Sequence, residues 1–162
     1  MDKFVNEYEY NEAVIKESMQ AWCRNKFKRY WIEMPILFVI TIVLYLLTGE
    51  VLCLIASFIS ALAFLLTFVN QKKAVKVEQE RTEVTYKGIV PTLQITIAED
   101  IYTVSPQVER HLDFTSVEKI LETKNLIVLL LKGNMTITLC KTGFTEGTWE
   151  NCLTYLKNMI KR

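Results

Sequence analysis

The chain has 162 residues, a formal net charge of +1 and only 23% charged residues. This length accommodates one small domain with a membrane anchor, and the positive mean hydropathy of +0.19 favours an anchored protein over a fully soluble one. The near-neutral charge disfavours a nucleic-acid-binding protein, which would carry a basic stripe or a clearly positive domain.

The N-terminal segment is polar and charged, and residues 11–30 show helical periodicity. Val14, Ile15, Met19 and Trp22 recur at the spacing of one helix face, while basic residues lie on the other faces. Such a mixed helix suits a membrane interface. We therefore predict that residues 1–30 form a cytoplasmic amphipathic helix, and we expect no cleavable signal peptide because a short basic region leading into an apolar stretch is not visible.

Two apolar runs follow, over residues 31–47 and 51–69, and Glu50 is the only formally charged residue between Met34 and Gln71. Each run approaches the ~20 residues that a helix needs to cross a bilayer. Backbone groups cannot stay unpaired in lipid, and a three-residue connection makes the two helices antiparallel. The sequence predicts a transmembrane hairpin at residues 31–70. A buried helical pair in a soluble protein would normally carry a polar face, which these runs lack.

Basic and aromatic residues flank both runs, whereas the turn between the runs contains no Lys or Arg. By the positive-inside rule, this distribution places both chain termini in the cytoplasm, and Trp side chains favour the headgroup region. Recognition of anionic lipids is an alternative to a purely topogenic role for the basic residues. The predicted membrane-interface anchors are Trp22, Arg24, Lys26, Lys28, Arg29, Trp31, Lys72 and Lys73.

Glu33 is the one formally charged residue within the first run. It lies two residues before Pro35, near the cytoplasmic edge, where its carboxylate either lines an ion path in an assembly or simply reaches water. Pro35 suits the first turn of a membrane helix, because the N–H that it lacks would have no partner there.

Small residues line one face of the second run. Ala56, Ser60 and Ala63 recur at helical spacing, so another helix can approach closely along this face. The sequence predicts a helix-packing face at these residues. Its partner is either the first run or a second copy of the chain.

Residues 71–90 form a polar connector that either extends the second helix or adopts strand structure, with Gly88 as a helix stop. Alternating apolar residues then predict strands over residues 93–97, 101–104, 108–114, 117–122, 126–131 and 135–140. Thr148 is a good N-cap for a final amphipathic helix. We predict an α+β membrane protein in which residues 91–162 form a small antiparallel β domain closed by a C-terminal helix. The apolar stripe of that helix is Trp149, Cys152, Leu153, Leu156 and Ile160.

The segments DFTSVEKILETKNLIVLLL, MTITLCKTGF and TWENCLTYLKNMI, placed after a polar helix and an apolar hairpin, resemble the bacterial YcxB-like family. This resemblance implies a bacterial cell-membrane protein whose C-terminal domain is similar to pleckstrin-homology (PH)-like modules. The family supplies no active site to carry over, and the polar stretch from residue 71 to residue 87 has no counterpart that we can match.

The inventory of reactive residues disfavours an enzyme. His111 is the only histidine and falls on a predicted strand, so a His-centred triad is a poor interpretation. Glu99 and Asp100 are neighbours whose side chains point apart. The cysteines are widely separated, which disfavours zinc and disulfides. We therefore predict no catalytic, cofactor-binding or metal-binding residue. The four separated cysteines are Cys23, Cys53, Cys140 and Cys152.

Three functions are compatible with this sequence. The first is a membrane-anchored binding or regulatory module, with the lipid bilayer and a protein as its partners. The alternative is a subunit of an oligomeric transport or resistance assembly that self-associates through the second run. The third, a membrane enzyme, requires a metal or a perturbed acid near Glu33 or His111.

Overall fold

The computed structural model describes residues 3–133 and 135–160. The chain forms two compact units. One, here called the hairpin unit, comprises Trp22–Val77, and the other, the β unit, comprises Met1–Ala21 together with Glu78–Arg162. The β unit is therefore built from both ends of the chain.

The hairpin unit contains two long apolar helices, as the sequence predicts. Helix α2 spans Lys28–Thr48 and helix α3 spans Val51–Tyr86. The most apolar 18-residue segments of α2 and α3 have mean hydropathies of 2.1 and 2.6. Gly49 ends α2 with a φ of +70° and donates its N–H to the carbonyl of Tyr45 at 2.8 Å. Only 6% of the residues in the α2 segment and 17% of those in the α3 segment are buried. Both helices are long and apolar enough to span a membrane.

The two helices meet along a narrow seam of small and aromatic side chains. Ser57 donates a hydrogen bond to the Thr41 hydroxyl at 2.8 Å across the pair. Nearer the open end of the hairpin, the Trp31 ring packs edge-on against Phe64 and Phe68, with centroids 5.5 and 4.7 Å apart. The least exposed positions of α3 recur in steps of three and four residues, which is typical of paired helices.

The boundaries of α2 and α3 settle two expectations. Because α2 begins at Lys28, Pro35 lies inside the helix, and its predicted place in the first turn is wrong. The polar connector, residues 71–90, could be either helix or strand by sequence; it is helical as far as Tyr86, where α3 ends. The helix then stops where Lys87 and Gly88 take φ values of 54° and 77°, and the Gly88 N–H bonds the Glu83 carbonyl at 2.9 Å.

The prediction that residues 1–30 form only a helix is wrong at its beginning. Strand β1 covers Phe4–Glu9, and helix α1 follows over Glu12–Lys26. Asn11 caps α1 by accepting the N–H of Val14 at 3.1 Å. The strand is short and rich in polar residues, and its partners lie far along the chain, so local periodicity gives no signal for it.

The β unit contains two antiparallel sheets. The five-stranded sheet has the order β4-β3-β2-β1-β8 and the three-stranded sheet has the order β5-β6-β7. Helix α4, Trp149–Ile160, packs on this core through the predicted stripe, in which Cys152, Leu153 and Leu156 are buried. The strands are β2 Thr92–Ile97, β3 Ile101–Val104, β4 Glu109–Leu112, β5 Val117–Glu122, β6 Leu126–Leu131, β7 Met135–Cys140 and β8 Phe144–Glu146.

Two details of the sheets differ from the prediction. The strand expected at residues 108–114 ends at Leu112, because Asp113 accepts the Thr115 N–H at 2.6 Å and starts a 3-10 turn over Phe114–Ser116. The short strand β8 was not predicted at all. It pairs with β1, which makes its formation dependent on the opposite end of the chain.

The pairing of β1 with β2 sets the topology of the molecule. Phe4 lies opposite Ile97 and Glu9 opposite Thr92, in an unbroken antiparallel register. The two apolar helices are therefore an insertion between two adjacent strands of one sheet. The predicted domain of residues 91–162 lacks β1, an interior strand of its five-stranded sheet.

Candidate functional site

Strand β7 forms an edge of the three-stranded sheet, and side chains of β1 satisfy part of that edge. The buried Asn6 side chain donates to the Cys140 carbonyl at 2.7 Å and accepts the Cys140 N–H at 3.0 Å. Two residues along, the Tyr8 hydroxyl donates to the Thr138 carbonyl at 2.5 Å. Side-chain groups thus replace the backbone partners that a neighbouring strand would supply.

Beyond Tyr8, side chains of both sheets line a partly open cavity of about 250 Å³ within the β unit. Its floor is apolar, because inward-facing side chains of four strands meet there. Such a combination of an apolar floor and a few polar groups is typical of ligand sites. The floor residues are Leu93, Ile95, Leu112, Leu131 and Ile137.

Aromatic and charged side chains surround the rest of the cavity. Tyr10 follows β1, and Glu78 and Tyr86 belong to the part of α3 that lies in the β unit. The Tyr10 hydroxyl lies 3.4 Å from Glu78 Oε1, and Arg81 Nη1 lies 3.6 Å from Glu78 Oε2. Arg110 also lines the cavity, and its guanidinium reaches the Met135 sulfur at 3.8 Å.

The electrostatics of the tyrosines reflect this setting. Burial raises the pKa of Tyr10, and the adjacent Glu78 carboxylate raises the same pKa further by disfavouring a phenolate. Burial likewise raises the pKa of Tyr8, with smaller contributions from Tyr10, Cys140 and Tyr86. Both phenols therefore remain neutral hydrogen-bonding groups at physiological pH.

The chain matches no family model, no curated protein and no solved structure. The geometry of the molecule is consequently the basis for any statement about its role.

The predicted membrane-interface anchors all lie in the hairpin unit. Lys26 Nζ sits 4.4 Å above the Trp22 ring, and Arg29 pairs with Glu33 one turn later at 2.5 Å. This ion pair gives Glu33 a local partner on an exposed helix surface. The Trp31 ring packs in the seam between α2 and α3, against Phe64 and Phe68. The remaining predicted anchors, Arg24, Lys28, Lys72 and Lys73, are exposed.

The predicted helix-packing face is only partly enclosed within the chain. Ser60 is 2% exposed and lies in the hairpin seam, next to the equally buried Ser57. Ala56 and Ala63 are half-buried at the border of the seam. The first helix therefore covers the centre of this face.

The residues considered for catalysis are spread over the molecule. His111 is exposed on β4, with Nε2 3.1 Å from the Asp100 carboxylate. All four cysteines are free thiols, and burial raises the pKa of Cys152 to about 12. Within residues 3–133 and 135–160, no group of three or more His, Cys, Asp or Glu side chains is placed to hold a metal ion.

Sequence reasoning did not identify the cavity or its polar residues. Tyr8, Glu78 and Arg110 come from three separate elements and Tyr10 from the loop after β1, and each is unremarkable in its local sequence context. The one available signal was the presence of Tyr8 and Tyr10 before the apolar insertion and of Tyr86 after it, which becomes meaningful only when β1 and β2 are known to be paired.

Proposed function

We propose that the protein is a membrane-anchored binding module, in which the hairpin unit spans the bilayer and the β unit is held at the cytoplasmic surface. The observation that carries this proposal is the insertion of two exposed apolar helices between paired strands β1 and β2. The bilayer and a bound ligand or protein are the partners of such a module.

The surface of the hairpin supports insertion into lipid. Leu46, Leu47, Leu52 and Phe58 are each more than 70% exposed, and many other large apolar side chains of α2 and α3 are also exposed. Soluble monomers rarely expose contiguous apolar patches larger than a few hundred Å². A helix of 21 residues is about 30 Å long, which matches the hydrocarbon thickness of a bilayer.

The strand pairing supports a hairpin that enters and leaves the membrane on one side. Because β1 precedes the helices and β2 follows them, both ends of the insertion must lie on the side where the sheet forms. The basic residues flanking the helices support the cytoplasm as that side. The strand pairing supports this topology independently of the basic residues.

The architecture of the β unit is consistent with the PH-like interpretation. The resemblance to the YcxB-like family implies a PH-like C-terminal domain, and antiparallel sheets packed with a C-terminal helix support this proposal. We accordingly propose a bacterial cell-membrane protein with both termini cytoplasmic and without enzymatic activity of its own. Binding, and not catalysis, is the role that an apolar cavity with a polar rim supports best.

Flotation with lipid vesicles tests the anchoring. Full-length protein is expected to remain with the vesicles after a wash at alkaline pH, because α2 and α3 are embedded in lipid instead of adsorbed to it. A matched variant in which a flexible Gly/Ser linker replaces Trp22–Val77 is expected to stay in the aqueous fraction. Release of the full-length chain by the wash would contradict the proposal.

The alternative, a subunit of an oligomeric transport or resistance assembly, has less support because the first helix covers Ser60. It requires the half-buried Ala56 and Ala63 to contact a second copy. A stable oligomer in mild detergent that dissociates on Ala56→Leu would favour it. A monomer under the same conditions would exclude it.

A further inference from the structure

The carboxylate of Glu78 accepts a hydrogen bond from Tyr10 and forms an ion pair with Arg81. Its two contacts, 3.4 Å to the Tyr10 hydroxyl and 3.6 Å to Arg81 Nη1, are both long. Charge-assisted hydrogen bonds are usually about 2.7–2.9 Å. The side chain is only 26% exposed, so water does not fully replace such a partner. The cavity therefore presents a partly buried carboxylate whose two existing contacts are long.

Arg110 opposes this charge only weakly. Its side chain is exposed, and its guanidinium contacts the sulfur of Met135 on β7. Charges that reach solvent are screened by water and salt, whereas partly buried charges act through a lower effective dielectric constant. Arg81, the ion-pair partner of Glu78, lies outside the lining of the cavity, so Glu78 is the partly buried charge that faces it, and a carboxylate there favours a cation.

Aromatic rings provide the second part of a cation site. Tyr8, Tyr10 and Tyr86 line the same cavity as Glu78, and Tyr10 is in direct contact with the carboxylate. The faces of aromatic rings attract cations, and recognition of quaternary ammonium groups commonly uses several rings together. The Tyr8 hydroxyl already donates to the Thr138 carbonyl, so Tyr8 contributes its ring and not a free polar group.

We infer that this cavity binds a small organic cation, an ammonium group attached to a compact apolar body. The ammonium group lies against Glu78, Tyr10 and Tyr86, and the apolar body covers the floor formed by β2, β4, β6 and β7. A volume of about 250 Å³ falls below the ~300 Å³ at which pockets for drug-sized ligands begin, so the ligand is small. The inference rests on the proposed function, because it gives the binding module its ligand.

Isothermal titration with benzyltrimethylammonium tests the site, using the full chain in phosphatidylglycerol nanodiscs. We expect saturable binding that Glu78→Gln weakens by about tenfold or more, since the partly buried charge is removed while the shape of the side chain is kept. Tyr86→Phe keeps the ring and is expected to retain binding, whereas Tyr86→Leu weakens it. Glu83→Gln is the matched control, because Glu83 is an exposed carboxylate on the same helix.

Two further arms identify the ligand class and its source. The anion 3-phenylpropionate is expected not to bind; binding of this anion that is lost on Arg110→Gln would overturn the inference. In phosphatidylcholine nanodiscs, weaker apparent binding of the cation would indicate that a lipid headgroup enters the site, and unchanged binding would indicate a free amine. Either result supports an ammonium site.

Failure of this inference is distinguishable from failure of the proposed function. Benzyltrimethylammonium binding that is absent, or equal in the parent chain and in Glu78→Gln, would overturn the cation site. If the chain still floated with vesicles, the anchored module would stand. The circular dichroism spectra of Glu78→Gln and the parent chain are compared as a control. Matching spectra mean that a loss of binding is caused by the loss of the Glu78 charge and not by unfolding.

Discussion

At the residue scale, three polar side chains show how distant parts of the chain are joined. Asn6 satisfies both backbone groups of Cys140, and Glu17 accepts hydrogen bonds from the N–H and the side-chain amide of Asn125, both at 2.9 Å. Neither contact could be predicted, because each joins residues more than 100 positions apart. A common catalytic or metal site for His111 and the cysteines was easier to disfavour, because these residues are widely separated in the sequence.

Replacing Asn6 by Leu is expected to destabilise the β unit by about 2–3 kcal/mol, because the buried N–H and C=O of Cys140 lose their partner while the shape of the side chain is roughly kept. Urea unfolding of the full chain in detergent micelles measures this change. Asn158→Leu, at an exposed position of α4, is the control and is expected to change stability by less than about 0.5 kcal/mol. Equal effects of the two substitutions would contradict the assigned role of Asn6.

Glu17 gives a pH-dependent prediction. Partial burial opposes ionisation, but hydrogen bonds from Thr123 and Asn125 outweigh it and lower the pKa of Glu17 below its ordinary value of 4.5. A lowered folded-state pKa contributes stability above the unfolded-state pKa, and this contribution is lost as the pH falls through the folded-state value. Glu17→Gln should therefore be less stable than the parent chain at pH 7. The difference should shrink below about pH 4.5; a difference independent of pH would contradict this role.

At the element scale, periodicity identified most of the structure. Apolar alternation located β2, β3 and β5 to β7, and continuous apolarity located α2 and α3, because these elements bury or expose faces with a regular period. Periodicity did not identify β1 and β8, which are short and pair with each other across the chain. It also missed the 3-10 turn after β4, which begins where the Asp113 side chain accepts a backbone hydrogen bond. The connector was ambiguous because its polar residues suit more than one structure.

The hairpin seam can be tested through its hydroxyl pair. Thr41→Val and Ser57→Ala should show a coupling of about 0.6 kcal/mol in a double-mutant cycle, the average for hydrogen bonds between membrane helices. The cycle is measured by unfolding of the hairpin in mixed detergent micelles.

Thr48 is the matched control for Thr41. Its hydroxyl also bonds back to the carbonyl four residues earlier, at 2.8 Å compared with 2.9 Å for Thr41, but Thr48 is exposed at the end of α2. Thr48→Val should show no coupling to Ser57→Ala. Equal coupling for both threonines would mean that the cross-helix hydrogen bond contributes nothing.

At the scale of the whole molecule, the two apolar helices interrupt a β unit whose first strand precedes them. The sequence could reveal the apolar insertion but not the sheet around it, since the pairing of β1 with β2 links residues more than 80 positions apart, for example Glu9 and Thr92. The cavity was hidden for the same reason. Its walls are complete only when both ends of the chain come together.

Removal of the insertion separates the two units. A chain in which a Gly/Ser linker replaces Trp22–Val77 keeps every strand of the β unit and is expected to be soluble and cooperatively folded. A fragment of residues 91–162 lacks β1 and should not give a cooperative unfolding transition, because the partners of β2 and β8 are missing. Thermal unfolding by circular dichroism compares them, and a folded 91–162 fragment would refute the role assigned to β1.

The proposed function requires both ends of the hairpin unit to lie on one side of a membrane and its tip on the other. Single cysteines at Glu12, Glu50 and Glu118, three exposed positions, test it in a background where the four native cysteines are replaced by alanine. In intact cells, a membrane-impermeant maleimide is expected to label Glu50→Cys alone, and permeabilisation should make Glu12→Cys and Glu118→Cys equally reactive. Labelling of Glu12→Cys and Glu118→Cys from opposite sides would contradict the pairing of β1 with β2 and with it the whole account.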